Sequence, residues 1–261
     1  MEATSFLYHD IVDTDAGDIS GFSHPGTAKY NLRPTELKDH LRAVSQATKE
    51  KPVSIFEVLK GKTLCLPIML TFDDGGISAY NCVAGILEEL GWQAHFFITT
   101  NYIGKPSFVN VKQIRALREK GHIIGTHSHT HPERVSSLGW DQLVEEWRVS
   151  TERLADILGE KIEVGSVPGG YYSKRVAEAA SACGLRALFT SEPVKTCSYH
   201  DGCLVLGRYT ITKNMPSGIS FALVKGRLLP RAQKFIVWNL KKIPKALGGK
   251  FYLKIRKFLV K

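Results

Sequence analysis

Residues 64–76 read LCLPIMLTFDDGG. An apolar run from Leu64 to Phe72 stops at two adjacent carboxylates, Asp73 and Asp74, followed by Gly75 and Gly76. A run of that length with Pro67 inside it reads as a buried strand, too short to span a bilayer. A strand covered on both faces belongs to the parallel sheet of an α/β protein. Such a strand does not hold paired acids in its middle. Asp73 and Asp74 therefore stand at its C-terminal lip, where α/β barrels place catalytic groups. Neighbouring residues point in different directions, so one carboxylate can hold a metal while the other faces a water. Asp74-Gly75 is also ordinary turn chemistry, so the pair alone does not decide between a site and a turn.

The same alternation extends along the chain. Short apolar runs predict strands at Ser5–His9, Leu64–Phe72, Ala94–Thr99, His122–Thr126, Ile162–Val167, Arg186–Thr190 and Cys203–Ile211. Between them, amphipathic stretches predict helices at Thr35–Thr48, Ile77–Leu90, Val111–Lys120, Leu138–Leu158 and Lys174–Ala182. Gly91, Gly121 and Gly159 each follow a predicted helix, as a left-handed cap does. Seven strands with intervening helices predict an α/β fold, a distorted (β/α) barrel, with an open doubly wound sheet as the alternative. Residues 10–33, rich in Asp, Gly and Ser, read as a long loop of the kind that borders binding sites.

The chain has 261 residues, 43% hydrophobic and 23% charged. That is ordinary globular usage and excludes a disordered, collagen-like or polytopic membrane chain. The net charge of +10 is unevenly placed. Of 35 Lys and Arg, 12 lie in residues 225–261, and no Asp or Glu follows Asp201. Residues 1–224 thus hold 23 basic and 25 acidic side chains, a net of −2. A nucleic-acid binder spreads its basic patch over the fold. This chain reads instead as a body at 1–224 with a basic appendage at 225–261, and no nucleic-acid partner is expected. Cys65, Cys82, Cys183, Cys197 and Cys203 are widely spaced with no CxxC, which predicts a reducing compartment. The opening MEATSFLYHD has neither a basic n-region nor an apolar h-region, so no secretory leader is expected.

A second segment, residues 125–132, reads GTHSHTHP, again after a short apolar run. It holds three of the nine histidines within five residues. His127 and His131 are four apart, so one turn of helix would put both on one face, a common metal-ligand spacing. His129 would then point elsewhere. One carboxylate with two imidazoles leaves coordination positions open, as a catalytic metal needs. Zinc suits this set best, with cobalt, nickel and manganese as alternatives.

TFDDGG followed by HSHTHP resembles the polysaccharide deacetylase family, the carbohydrate esterases with a NodB homology domain. The segment from Gly91 to Ile98 is similar to the family's GxxATFF strand, and Tyr102-Ile103-Gly104 to its continuation. Tyr8-His9-Asp10 resembles the YHxI opening of the branch acting on poly-N-acetylglucosamine-type sugars. The resemblance implies a distorted (β/α) barrel and a metal-dependent hydrolase that removes N-acetyl, or O-acetyl, groups from a sugar. It implies Asp73 as the general base for the water on the metal, and Asp74, His127 and His131 as the metal ligands.

The family's third motif, RxPYG, falls on Ser166-Val167-Pro168-Gly169-Gly170. The Arg that orients the base is Ser166 here. The Tyr whose backbone N–H serves the oxyanion is Gly169, which keeps that donor. Asp73 then needs another partner, and Tyr171, Tyr172 and Arg208 are the candidates. Gly169, Tyr171 and Arg208 are expected to meet the substrate. The fifth motif, LxxH, which supplies the general acid, has no clear counterpart. His9, at the end of the first strand, ranks ahead of His24 on the long loop, and His200 is followed by Asp201-Gly202, which reads as a turn before the final strand.

In the appendage, Lys250, Lys254, Lys257 and Lys261 fall on one helical face beside Phe251, Ile255, Phe258 and Leu259. Pro244 and Gly248-Gly249 separate this stretch from an earlier amphipathic one, and Trp238 and Tyr252 suit a headgroup region. This pattern predicts attachment to a membrane surface, with a solvated helix packed back on the barrel or a nucleic-acid-binding tail as the alternatives. Without a leader, it places the chain in the cytoplasm, on the inner face of the membrane, with a lipid-linked acetylated saccharide as the expected substrate. A second reading stays open at the departures from the third and fifth motifs: a non-catalytic, metal-stabilised glycan-binding or membrane-associated scaffold.

Overall fold

The structure is a computed structural model that describes residues 1–13, 19–22, 26–62 and 66–247, with side chains through residue 240. His24, Cys65, the first two residues of the expected 64–72 strand and the face built on Lys250, Lys254, Lys257 and Lys261 lie outside the described residues. Along the chain run β1 (Thr4–Tyr8), α1 (Pro34–Ala47), α2 (Ile55–Leu59), β2 (Ile68–Phe72), α3 (Ala84–Leu90), β3 (His95–Ile98), α4 (Val111–Glu119) and β4 (Ile123–Thr126). There follow α5 (Trp140–Leu158), β5 (Val164–Ser166), α6 (Lys174–Ala182), β6 (Ala187–Phe189), β7 (Ser198–His200), β8 (Cys203–Leu206), β9 (Tyr209–Thr210), α7 (Gly218–Val224) and α8 (Leu228–Leu247). Gly91 and Gly159 cap their helices in the left-handed conformation, with φ of 61° and 71°.

The strands form one sheet in the order β7-β8-β6-β5-β4-β3-β2-β1-β9. Neighbours are parallel throughout, except in the β7–β8 hairpin. Among the described residues nine strands replace the seven expected, for two reasons. Ser198 and Tyr199 of β7 are exposed, so that strand carries no apolar signal. The expected strand Cys203–Ile211 is broken at Gly207-Arg208 into β8 and β9. That break closes the fold. β8 pairs with β6 and β9 pairs with β1, so two residues carry the chain from one side of the sheet to the other. The sheet therefore curls into a distorted barrel. Only glycine fits the crossing point, because a Cβ on Gly207 would stand 2.4 Å from Glu192 O and 2.5 Å from Val194 O.

Side chains alternate between two layers along each strand. Phe6, Tyr8, Leu70, Phe72, Phe96 and Ile124 face outward and pack under the helices. Met69, Phe97, Val164, Ala187, Phe189, Leu204 and Leu206 face inward, where Ile55 and Val58 of α2 join them at the strands' N-terminal end. Gly125 makes room for this filling, since a Cβ there would meet the Phe97 ring at 2.7 Å. Continuing the inward register past the filled layer leads from Met69 through Thr71 to Asp73. It likewise leads from Gly125 to His127, from Val164 to Ser166 and from Leu206 to Arg208. Period-two alternation thus delivers four polar side chains to one layer at the strands' C-terminal ends.

His95 belongs to the inner layer and gives the fold a pH dependence. Its Nδ1–H donates to Leu70 O at 3.1 Å, and its Nε2 accepts the Ile55 N–H at 3.0 Å. Those two roles require the neutral ring, and burial pushes its pKa down to about 4. A histidine in the unfolded chain titrates near 6.5. Between these values the unfolded chain binds more protons, so stability is full above pH 6.5 and falls as pH drops toward 4. His95 alone is expected to remove about 2 kcal/mol between pH 7 and pH 5. Urea midpoints at the two pH values check this, and an unchanged midpoint would mean the ring is not held neutral.

Candidate active site at the strand ends

Asp73 and Asp74 leave β2 in a sharp turn. Asp74 has φ of 73° and Gly75 of 81°, left-handed values that Asp tolerates better than most residues. Both carboxylates are buried. His127 Nε2 lies 3.3 Å from Asp74 Oδ1 and 3.9 Å from Asp73 Oδ2, and His131 Nε2 lies 3.6 Å from Asp74 Oδ1. The two histidines do not meet through a helical turn, as their spacing had suggested. Pro132 disfavours the helical conformation at His131. Ser128 and His131 instead take φ of 64° and 57°, and the Ser128 Oγ accepts the His131 N–H at 3.1 Å. This folded loop brings both rings to Asp74. His129 turns away, its Nδ1 paired with Thr100 Oγ1 at 2.9 Å.

An Asp74 oxygen and one nitrogen each of His127 and His131 lie within 4.8 Å of one another. One oxygen and two nitrogens fit a divalent ion with open positions. The far side of His127 agrees with that fit. Its Nδ1 lies 2.5 Å from Ser166 Oγ and 3.1 Å from Ser166 O. The Ser166 hydroxyl donates to Asp73 Oδ1 at 3.0 Å, so its oxygen accepts the Nδ1–H of His127. The bare Nε2 then faces Asp74, the tautomer a metal ligand needs.

Arg208 is fully buried and forms a two-pronged pair with Asp73. Nη1 donates to Oδ1 at 2.7 Å and Nη2 to Oδ2 at 2.8 Å. Nη1 also reaches Thr71 Oγ1 at 3.0 Å, and Nε reaches Thr190 O at 2.9 Å. The rings of Phe97 and Phe189 lie 5.7 and 5.9 Å from the guanidinium carbon. Burial alone would raise the pKa of Asp73, but Arg208 and then His127 outweigh it and hold the carboxyl below its usual range. Burial likewise works against the charge of Asp74, and the imidazoles of His127, His9 and His131 around it overturn that. For His131 burial wins and pushes the pKa down to about 4. The expectation that Arg208 meets the substrate is corrected here. Its donors are engaged on Asp73, Thr71 and Thr190, and it supplies the cation that Ser166 lacks.

Residues 60–188 match the family model for polysaccharide deacetylase. The chain belongs to the polysaccharide deacetylase family. Asp73, Asp74, His127, His131 and Ser166 fall inside the matched stretch, and His9 and Arg208 fall outside it. A putative polysaccharide deacetylase of Bacillus subtilis is 26% identical over 154 residues, 59% of this chain and 54% of that protein. A peptidoglycan-N-acetylmuramic acid deacetylase of the same organism is 28% identical over 134 residues, 50% of this chain and 49% of that protein. The chain thus spans about half the length of the relatives it matches. The fold is shared with a Streptococcus pyogenes deacetylase solved with acetate, at TM-score 0.69 and 21% identity, over 83% of this chain and 95% of that one. It is shared too with IcaB from Ammonifex degensii, at TM-score 0.70 and 20% identity, over 86% and 97% of the two chains.

The remaining expected residues of this deacetylase-family chain divide. His9 follows β1, its ring stacked on Tyr30 at 4.7 Å, with Nδ1 buried and without a hydrogen-bond partner. Burial lowers its pKa against the opposing charges of Asp74 and Asp73. Gly169 is exposed in the turn Pro168–Gly170 with φ of 61°, a value at which the family's tyrosine would be strained. Tyr171 is only 9% exposed and belongs to the core, with Arg134 across its ring at 5.7 Å, which corrects its assignment to the substrate. Tyr172 pairs with His200, the last residue of β7, which the turn at Asp201-Gly202 follows.

Two features had no sequence signal. The Phe22 ring lies 4.8 Å from the His131 ring and 4.7 and 5.1 Å from Tyr102 and Phe108, an aromatic wall beside the site. Buried Asp10 accepts hydrogen bonds from the Ser20 and Ser78 hydroxyls, and burial pushes its pKa up to about 7. It pins the long loop to the Asp74–Gly76 turn, where a Cβ on Gly76 would overlap Asp10 Oδ1. Neither feature follows a period, because each joins segments that are distant along the chain.

Proposed function

We propose that the chain is a metal-dependent hydrolase that removes acetyl groups from a sugar, acting first on N-acetyl and, through the same chemistry, on O-acetyl. The reading is carried by Asp73, an ionised carboxylate beside the three-ligand cluster that is not itself needed as a ligand. Asp74, His127 and His131 hold the ion. A divalent ion in such a site, zinc by its donor set, lowers the pKa of a water and polarises a carbonyl. Asp73 takes the proton of the attacking water, and Arg208 keeps it deprotonated and aimed. The N–H of Gly169, an exposed residue in the turn Pro168–Gly170, is the donor for the developing oxyanion. His9, whose Nδ1 has no partner among the described residues, returns a proton to the leaving amine. Its lowered pKa makes its protonated form the stronger acid. The C–N bond breaks, acetate takes the water's oxygen and the amine leaves with the proton.

The scaffold reading drew on Ser166 and on the missing LxxH. Arg208 on Asp73 removes the first of those grounds. We further read residues 1–224 as the catalytic unit, 225–261 as an appendage, the location as the inner face of the membrane and the substrate as a lipid-linked acetylated saccharide. The basic excess at 225–261 supports that part. Elemental analysis of the purified chain is expected to find roughly one divalent ion per chain, lost in Asp74→Ala. No bound ion after dialysis against zinc would remove the basis of the reaction.

A further inference from the structure

Helix α8 is amphipathic in the reverse sense of an ordinary surface helix. It meets the body along a narrow edge that carries Arg231, Lys234 and Trp238, at positions i, i+3 and i+7. Arg231 Nη2 donates to Leu223 O at 3.1 Å, and Lys234 Nζ donates to Thr210 O at 2.8 Å. The Trp238 ring lies so close to Gly170 that a Cβ there would stand 2.8 Å from it. The opposite edge is apolar. Leu228, Leu229, Phe235, Ile236 and Leu240 are between 49% and 83% exposed. With Ala232 they recur at helical spacing and form a continuous stripe. A surface helix normally turns such a stripe inward, and a bare one marks an interaction surface.

The position of the helix bears on what covers it. Thr210 ends β9 and Gly170 follows β5, so both contacts lie at the strands' C-terminal ends, as do Asp73 and His127. We infer that the outer face of α8 docks on an anionic lipid bilayer, its apolar stripe among the upper acyl chains and the flanking basic residues at the headgroups. Charge decides for lipid. Residues 225–261 carry 12 basic and no acidic side chains. A second copy of the chain would set that charge against itself, whereas an anionic surface complements it. Among the described residues no helix is long and apolar enough to cross a membrane, so α8 lies in the interface. That docking also brings the catalytic mouth to the bilayer rests on the deacetylase reading, but binding itself does not.

Flotation with vesicles tests this on the full-length chain. The chain is expected to float with phosphatidylcholine vesicles containing about one-third phosphatidylglycerol, and far less with phosphatidylcholine alone. The variant Phe235→Gln/Ile236→Gln/Leu240→Gln keeps every charge and is expected to bind at least ~10-fold more weakly. Its far-ultraviolet circular dichroism and metal content report that it is folded. Equal flotation of variant and parent would overturn the inference, as would no flotation of the parent. So would light scattering that shows a dimer which the variant dissociates, since the stripe would then join two copies. Binding is read without turnover. A chain that floats but releases no acetate upholds the docking surface and counts only against the proposed reaction.

Discussion

Replacing Asp73 with Asn is expected to slow acetate release by roughly 10²–10⁴-fold while metal content stays at the parent level. Asn has the shape of Asp but cannot take a proton. Its side chain sits outside the Asp74-His127-His131 cluster, so the ion keeps its ligands. The loss should fall on kcat, because the proton moves only in the reacting complex. The effect is separable from Asp74→Ala, which removes the ion as well. Initial rates on an N-acetylated chitooligosaccharide, beside elemental analysis of the same preparations, make the comparison. Turnover that survives in Asp73→Asn would mean another group activates the water and would leave this carboxylate a structural role.

The second large effect is on stability. Arg208→Met is expected to lower the unfolding free energy by about 3–5 kcal/mol, the usual result of stranding one member of a buried ion pair. Asp73 would keep the Ser166 hydroxyl and lose both guanidinium bonds. In the parent the pair holds the Asp73 pKa down, so its contribution is complete above the ordinary carboxylate pKa near 4 and is lost at lower pH. In the variant burial prevails and raises that pKa, so the deficit relative to the parent grows from acid toward neutral pH. The double variant Asp73→Asn/Arg208→Met carries no stranded charge and should recover part of the loss, although it stays inactive. Urea titrations at pH 4 and pH 7 measure all three proteins. A deficit below about 1 kcal/mol, or one that does not change with pH, would show that Arg208 is not the counter-ion of Asp73.

How much of this was legible in the chain follows the range of each interaction. The seven apolar runs covered eight of the nine described strands and the 3.6-residue period marked five helices, because burial on a regular element repeats locally. Asp73 and the candidate ligands Asp74, His127 and His131 stood out because their carboxylates and imidazoles lie within two short segments. The conformation that joins His127 to His131 did not, since it depends on left-handed backbone at Ser128 and His131. Ser166 read as a lost arginine, and its hydroxyl between Asp73 and His127 appears only when β5 lies beside β4.

Arg208 marks the boundary most sharply. It stands 135 residues from Asp73, and its strand reads as one continuous run. Its direction follows from the break at Gly207-Arg208, and that break exists because β8 and β9 pair with opposite sides of the sheet. Helix α8 follows the same rule. Its amphipathic pattern is plain in the sequence, but a helical period does not say which edge meets the body. The sequence alone marked most of the elements, the candidate ligands Asp74, His127 and His131 and the position of the charge, each a local property of spacing or composition. The closure of the barrel, the cation paired with Asp73 and the outward turn of the apolar stripe were decided by the tertiary structure, because each arises from contacts between segments that the chain keeps far apart.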